Sequence, residues 1–371
     1  MRSCVACLLL IQAGCLLAAD ESLEKELHAV VVEHVIPMME KRGHGPVAIG
    51  GFTAATSVKG SAGPEIQMKL SQMLQQLNVA VNADKYRYEI TGNYLPYNDP
   101  QSELYGVKLI TRLVDAEDGT TLGEFPRFVF GPESVPRMLG LTVSSKGSND
   151  PKLQSVSFKK SVQTPEVFVT GAMVSASPVS PYSVELLVLK NGQYQAMPMS
   201  ADAQSRPTAQ FAKNDIYAIR LTNNSDHDAA VRLTIDGVNT FEFSEQSPQP
   251  NYWIVPRSKD GKPGTTIVRG WDKSAAKSIE FKVVDFPDSA AAKIKLQPSQ
   301  VGMISASFAA CWENDNDRPR SEGRTRSTGF GSEIVDQKTL VKRHVGQVRD
   351  VISVRYERNP SPADSISLFP R

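Results

Sequence analysis

Histidine, cysteine, serine–lysine pairs and a cluster of arginines are the residues of this chain whose types could do chemistry. Their spacing decides what each can do. His28, His34, His44, His227 and His344 nowhere form H-E-x-x-H, in which two imidazoles one helical turn apart hold zinc. His28 and His34 are six residues apart and face different sides of a helix. Asp226-His227-Asp228 is flanked by carboxylates, but its setting between strand-like runs reads as a polar turn. Ser157…Lys160 and Ser274…Lys277 match S-x-x-K, yet the S-D-N and K-T-G elements that complete such a serine–lysine site are absent. No G-x-S-x-G elbow and no Walker-type loop occurs. Gly43-His44-Gly45-Pro46-Val47-Ala48 imitates a dinucleotide fingerprint, but a helix precedes it and a strand follows, the reverse of what pyrophosphate binding needs.

The stretch after residue 312 is richer. Glu313, Asp315 and Asp317 begin like a calcium loop, but Pro319 and Arg320 stand where a ligand and the turn glycine are required. Arg318, Arg320, Arg324 and Arg326 follow, with Lys342-Arg343 beyond. Guanidinium groups pair bidentately with carboxylate or phosphate, so these arginines are candidates for holding an anionic cell-wall polymer. The alternative is a solvated hairpin loop. No catalytic residue, metal site or cofactor motif is identified, and none is expected. With 41 basic against 40 acidic side chains, nucleic acid is not an expected partner.

The elements that must position these residues fall into two groups. Met1-Arg2-Ser3 and the apolar run Cys4–Ala19 read as a signal peptide over 1–19, with cleavage after Ala19. Ala13-Gly14-Cys15 resembles a lipoprotein box with Gln12 in a normally apolar place, so membrane contact is expected only if Cys15 is lipidated. The protein is expected to be exported: periplasmic, at the outer envelope, or secreted. Cys311 is the one cysteine outside that segment and reads as a buried small hydrophobe.

Residues 20–143 read as an α/β sheet domain with packed helices. A helix is expected from Ser22 to about Pro37, a strand over Val47–Phe52, and a second helix opened by Pro64 with Ile66, Leu70, Met73, Leu74 and Leu77 on one face. Tyr86, Tyr88 and Ile90 alternate with polar residues, as do Tyr105, Val107, Leu109, Thr111 and Leu113. Asp115–Gly119 supplies turn chemistry. Tyr94, Tyr97 and Tyr105 form an expected exposed aromatic set, the candidate partner-binding face, with packing on their own sheet as the alternative.

The strand Val47–Phe52, the helix Pro64–Leu77, Ile90-Thr91-Gly92 and Asp115 with Gly119 resemble a pattern in the periplasmic domains of lipoproteins that activate peptidoglycan synthases, and in the related curli secretion-channel lipoproteins. The resemblance covers roughly residues 47–125. It implies a non-enzymatic module that docks partner proteins.

Residues 144–182 are rich in Ser, Pro and Lys and read as a linker, with Val167-Phe168-Val169 able to pair with a neighbouring sheet. From 183 to 358, short alternating runs punctuated by Asn191-Gly192, Asn223–Asp226 and Asp236-Gly237 read as an antiparallel β-sandwich. Tyr217–Trp271 is similar to an uncharacterised domain of exported bacterial proteins. Residues 359–371 read as a disordered tail. The whole is expected to be α+β. Its expected role is that of an exported envelope protein that binds or docks partner proteins. A surface or matrix adhesion protein is the alternative, followed by a hydrolase with an unrecognised site.

Overall fold

A computed structural model describes residues 22–55, 58, 60–145, 148–166, 168–202, 204–294, 302–319, 341 and 343–358. The expected signal peptide, lipidation site and tail lie outside them. The N-terminal part contains α1 (Ser22–Val30), α2 (Ile36–Arg42), β1 (Val47–Ala54), α3 (Gly63–Gln76), β2 (Tyr88–Asn98), β3 (Tyr105–Asp115), β4 (Thr121–Val129), α4 (Ser134–Leu139), β5 (Val143–Ser144) and α5 (Pro151–Gln163). The C-terminal strands are β6 (Phe168–Thr170), β7 (Met173–Ser175), β8 (Tyr182–Lys190), β9 (Gln193–Ala196), β10 (Ser200–Ala201), β11 (Pro207–Phe211), β12 (Ile216–Asn223), β13 (Asp228–Ile235), β14 (Val238–Asn239), β15 (Trp253–Val255), β16 (Gly264–Val268), β17 (Gly270–Ser274), β18 (Lys277–Lys282), β19 (Met303–Trp312) and β20 (His344–Arg358). The architecture is α+β and strand-rich.

The first helix does not stop near Pro37. A π-helical turn, Val31–Val35, carries it into α2, where Pro37 occupies the first turn and needs no N–H partner. The first sheet has the order β1-β2-β3-β4, with β1 parallel to β2 and the other pairs antiparallel. Its helix-facing side chains, among them Tyr88, Ile90, Tyr94, Leu109 and Leu113, bury against Leu27, Ile66 and Leu70.

Two further sheets follow, β10-β11-β20-β19-β13-β14 and β17-β18-β12-β8-β7-β6. Leu186, Ile219 and Leu221 of one share a buried cluster with Val231, Leu233, Phe308, Ile352 and Val354 of the other. The pairing is antiparallel except for β11 against β20, which is parallel. The hairpin signals act as expected: Asn191-Gly192 and Asp236-Gly237 take positive φ at both positions, the turn that matches strand twist.

The segment 144–182 is not an extended linker. α5 buries Phe158 in the first core, Ser155 Oγ accepts from the Tyr105 N–H at 2.9 Å, and β6 and β7 add to the third sheet with Val174 fully buried. The segment has too few apolar residues for a core of its own, but it contributes to two cores that others build.

The N- and C-terminal parts meet over a buried polar layer. Alternation turns Arg232, Thr234, Ser305, Ser307, Ser353 and Arg355 of the second sheet away from its apolar cluster. That face would be solvated if the C-terminal sheets stood alone. Here residues 60–65 and α4 cover it. β5 pairs with β20, whose Val348 and Val351 join the first core. A Cβ at Gly60 would meet the Met138 carbonyl oxygen at 1.8 Å, and one at Gly237 the Ser61 carbonyl oxygen at 2.6 Å. The chain 60–65 is therefore pressed between α4 and the β13–β14 turn.

Four charges cross this layer. Arg137 Nη2 donates to Glu65 Oε1 at 2.9 Å, Arg137 Nη1 lies 4.0 Å from Glu133 Oε1, and Arg232 Nε lies 3.4 Å from the same oxygen. Arg232 Nη2 also donates to Tyr252 Oη at 3.1 Å. Burial would lower the Arg232 pKa, but Glu133, Tyr252 and Glu65 together raise it above its usual value.

This joining has a measurable consequence. The three tryptophans, Trp253, Trp271 and Trp312, all lie in the C-terminal part, whereas α1, α2, α3 and α4 lie before residue 140. Urea unfolding followed by tryptophan fluorescence and by far-UV circular dichroism should give coincident transitions. Two separated midpoints would show that the parts unfold independently.

Candidate functional site

The chemistry-bearing residues concentrate at one end of the C-terminal sheets, where the β12–β13 turn, the end of β19 and the start of β20 meet. The turn is fixed first. Asn223 Nδ2 donates to the carbonyls of His227 (2.8 Å) and Val255 (3.2 Å), and Ser225 donates through its backbone N–H to Asn223 Oδ1 at 2.9 Å. His227 is thereby drawn inward, with 8% of its surface exposed. Its Nε2 lies 2.9 Å from Tyr182 Oη and its Nδ1 lies 2.8 Å from Asp226 Oδ1. A neutral ring with the proton on Nδ1 satisfies both contacts: Nδ1–H donates to the carboxylate and Nε2 accepts from the phenol.

The electrostatics follow from these contacts. The hydrogen bond from His227 holds Asp226 below the usual carboxylate range. Burial pushes the Tyr182 phenol up to about 12, and its ring stacks on Phe308 with centroids 4.9 Å apart. Both imidazole nitrogens are committed, so the histidine acts here as a strut between turn and core. Cys311, fully enclosed, has its thiol pushed up to about 12 by burial, which keeps it protonated and inert.

A cleft of about 390 Å³ opens beside this turn, lined by Asp226, His227, Asn316, Asp317, Arg318 and Arg349. Two features aim the arginines. Arg349 sits at a bulge, because Phe308 pairs with Asp350 and Ala309 with Val348, leaving residue 349 unopposed. Arg318 follows the short 3-10 turn Asp315–Asp317 and stacks its guanidinium over Trp312 at 5.3 Å. His344 in turn stacks on Trp312, while Arg343 lies 3.4 Å from Glu313 and 3.8 Å from Asp228. The cleft therefore offers two guanidinium and two carboxylate groups. Among the described residues no group of three or more His, Cys, Asp or Glu could hold a metal.

Arg318 is thus brought to a concave surface; Arg320, Arg324 and Arg326 lie outside the described residues. The tyrosines expected as one exposed set are not one. Tyr94 is fully buried, and its Oη accepts from the Ala62 N–H at 3.1 Å. Tyr105 shares its side of the sheet and packs partly buried on the same core. Only Tyr97, of opposite parity, turns away from the helices, where it meets Phe128 (4.5 Å) and Phe130 (6.5 Å). Strand alternation separates them, and the helices cover the even-numbered face of β2.

Sequence reasoning missed Arg349, because a bulge has no local sequence signature. It also missed Phe128 and Phe130. The His227 turn was read as a polar turn, and Asn223 pulls its histidine into the protein. The two S-x-x-K matches stand in different settings, one in α5 and one at a hairpin turn. Ser157 Oγ donates to the Leu153 carbonyl and Lys160 pairs with Glu166 at 2.8 Å, while Ser274 and Lys277 face each other across the β17–β18 turn.

No protein-family model, curated protein or solved structure matches the chain.

The aromatic assignment is tested by two substitutions. Tyr94→Ala removes a buried ring and an acceptor and should destabilise by about 3–5 kcal/mol in urea unfolding. Tyr97→Ala should change stability by less than about 1 kcal/mol. Equal losses would mean that Tyr97 is also a core residue.

Proposed function

We propose that this protein is an exported, non-enzymatic binding protein of the cell envelope, and that the cleft beside His227 receives a polar segment of a partner protein. The observation that carries this reading is the cleft itself: Arg318 and Arg349 stand on its walls with Asp226 and Asp317. Equal numbers of cationic and anionic groups suit a polypeptide surface bearing both signs better than a uniformly charged glycan. The rigid support of each group, Arg318 on Trp312 and Asp226 on His227, favours recognition by a preorganised surface. In this proposal the second and third sheets form a sandwich over one shared core, and the cleft lies at its rim, where loops carry binding residues. Export is proposed from the apolar segment before Ala19, and the envelope as the partner's location from the N-terminal resemblance.

Site-specific photocrosslinking in intact cells tests the reading. A photoreactive amino acid at Asn316 should yield a discrete protein adduct that Arg318→Glu weakens at least tenfold, with no such adduct from Lys190 on the β8–β9 turn. A smear that is digested by glycan hydrolases would assign the cleft to a cell-wall polymer instead. An Asn316 adduct unchanged by Arg318→Glu would contradict the proposed recognition.

A further inference from the structure

The first sheet has a side that the helices of its core do not cover. α1, α3 and α4 cluster with Tyr88, Tyr94, Leu109 and Leu113, so strand residues of the other parity face outward. On that outer side Leu95, Tyr97 and Ile110 are half-buried, and Pro126 and Phe128 are exposed. Gly106 leaves room for the Phe130 ring, which a Cβ there would meet at 2.6 Å, and Phe130 lies across β3 beside Tyr97. The open side of an antiparallel sheet is normally polar, so an apolar band on it marks a contact surface.

The charges on this side say what fits it. Glu89, Lys108, Arg112 and Glu124 are the ionic side chains of these strands that face outward, two of each sign. Arg112 Nε donates to Glu124 Oε2 at 2.8 Å, so one pair is matched within the chain. Lys108 and Glu89 make no ion pair among the described residues. Glu89 lays its carboxylate over Gly50, which has no Cβ to displace it. Arg87, two residues earlier, turns instead to the carbonyls of Arg42 at 2.8 Å and Gly43 at 3.4 Å. Lys108 stands opposite Leu95 and Phe128, and Glu89 opposite Val114, six residues further along β3. At that spacing they are about 20 Å apart, too far to pair with each other.

We propose that this side of the first sheet is the interface of a homodimer, with a second copy of the chain seated on it face to face. A copy turned end for end about a two-fold axis across the strands brings Lys108 of each chain to Glu89 of the other, and both pairs form at once. Ile110 and Pro126 then lie near the axis, and Phe128 meets Val114 of the second copy. The face is its own complement in charge. Four strands about 4.8 Å apart and about 30 Å long offer about 600 Å² per copy, or about 1,200 Å² for the pair, the low end of specific interfaces. The dimer is therefore a reversible one. It does not depend on the function proposed for the cleft at His227.

Sedimentation equilibrium of the full chain across the micromolar range tests the proposal. The chain should pass from monomer to dimer as its concentration rises, with no larger species. Lys108→Glu and Glu89→Lys each set like charges against one another and should weaken the dimer by about tenfold or more. Combining them restores opposite signs and should return the dissociation constant to within about threefold of wild type, which a purely structural role for either residue would not do. Ile110→Asp should leave a monomer whose far-UV circular dichroism matches wild type; if that variant does not fold, the exchange of charges carries the test alone. A monomer at every concentration overturns the proposal, whether the face is bare or meets a different protein. A dimer that Ile110→Asp leaves intact, or a double charge variant no tighter than either single one, would overturn it as well.

Discussion

Everything else in this fold depends on how a polar sheet face is kept away from water. Arg232, Ser305, Ser307, Ser353 and Arg355 stand in strands whose other sides build an apolar core, so the whole polar face comes with them. The N-terminal part covers that face, and the Glu65–Arg137–Glu133–Arg232 chain is what makes the covering tolerable. Each of those ions loses several kcal/mol of hydration on burial, and removing one partner of such a set typically costs about 3–5 kcal/mol. The network stabilises less by its attraction than by the penalty for breaking it. That is a reason for one arrangement of the two parts, and the close approaches at Gly60 and Gly237 hold the same surfaces in register.

From this constraint the rest follows in order. Because β5 must pair with β20, the Ser/Pro-rich stretch after it begins already tied to the C-terminal sheet, and α5 is held where Phe158 can reach the first core. Because β20 serves two cores, it carries Val348 and Val351 for one and Ile352 and Val354 for the other. Over residues 350–355 both sides of this strand are buried, which leaves its polar residues there to be matched internally. Asp350 is matched: Ser144 donates to it at 2.6 Å, Ser180 donates to its other oxygen, and burial keeps its carboxyl above the usual range.

How much of this could be read beforehand depended on range. Turns were legible because they are local: Asn191-Gly192, Asp236-Gly237 and Asp115–Gly119 carry their conformations in their own side chains. Strands were legible by alternation, and so was the burial of Cys311. α5 was hidden, since Phe158 is its one large buried apolar side chain while Leu153 and Val156 are 58% and 64% exposed. Alternation in β20 is local, but what lies on its polar side is not; only the fold shows that another part of the chain covers it. The same applies to Tyr94 and Tyr97, whose parity was plain and whose environment was not. Of the candidate site, Arg318 came from its type and neighbours. Arg349 came from a bulge, and His227 from an asparagine four residues earlier.

The central claim is that Glu133 and Arg232 are coupled across the two parts, and a double-mutant cycle measures that directly. Glu133→Gln and Arg232→Met each leave a buried charge unmatched, and each should lower the unfolding free energy in urea by about 3 kcal/mol or more. The double variant should lose less than the sum of the two, by at least about 1.5 kcal/mol, because the second substitution removes the charge that the first left stranded. Strictly additive losses would contradict the account, and would mean that the polar layer between the parts is held by packing alone.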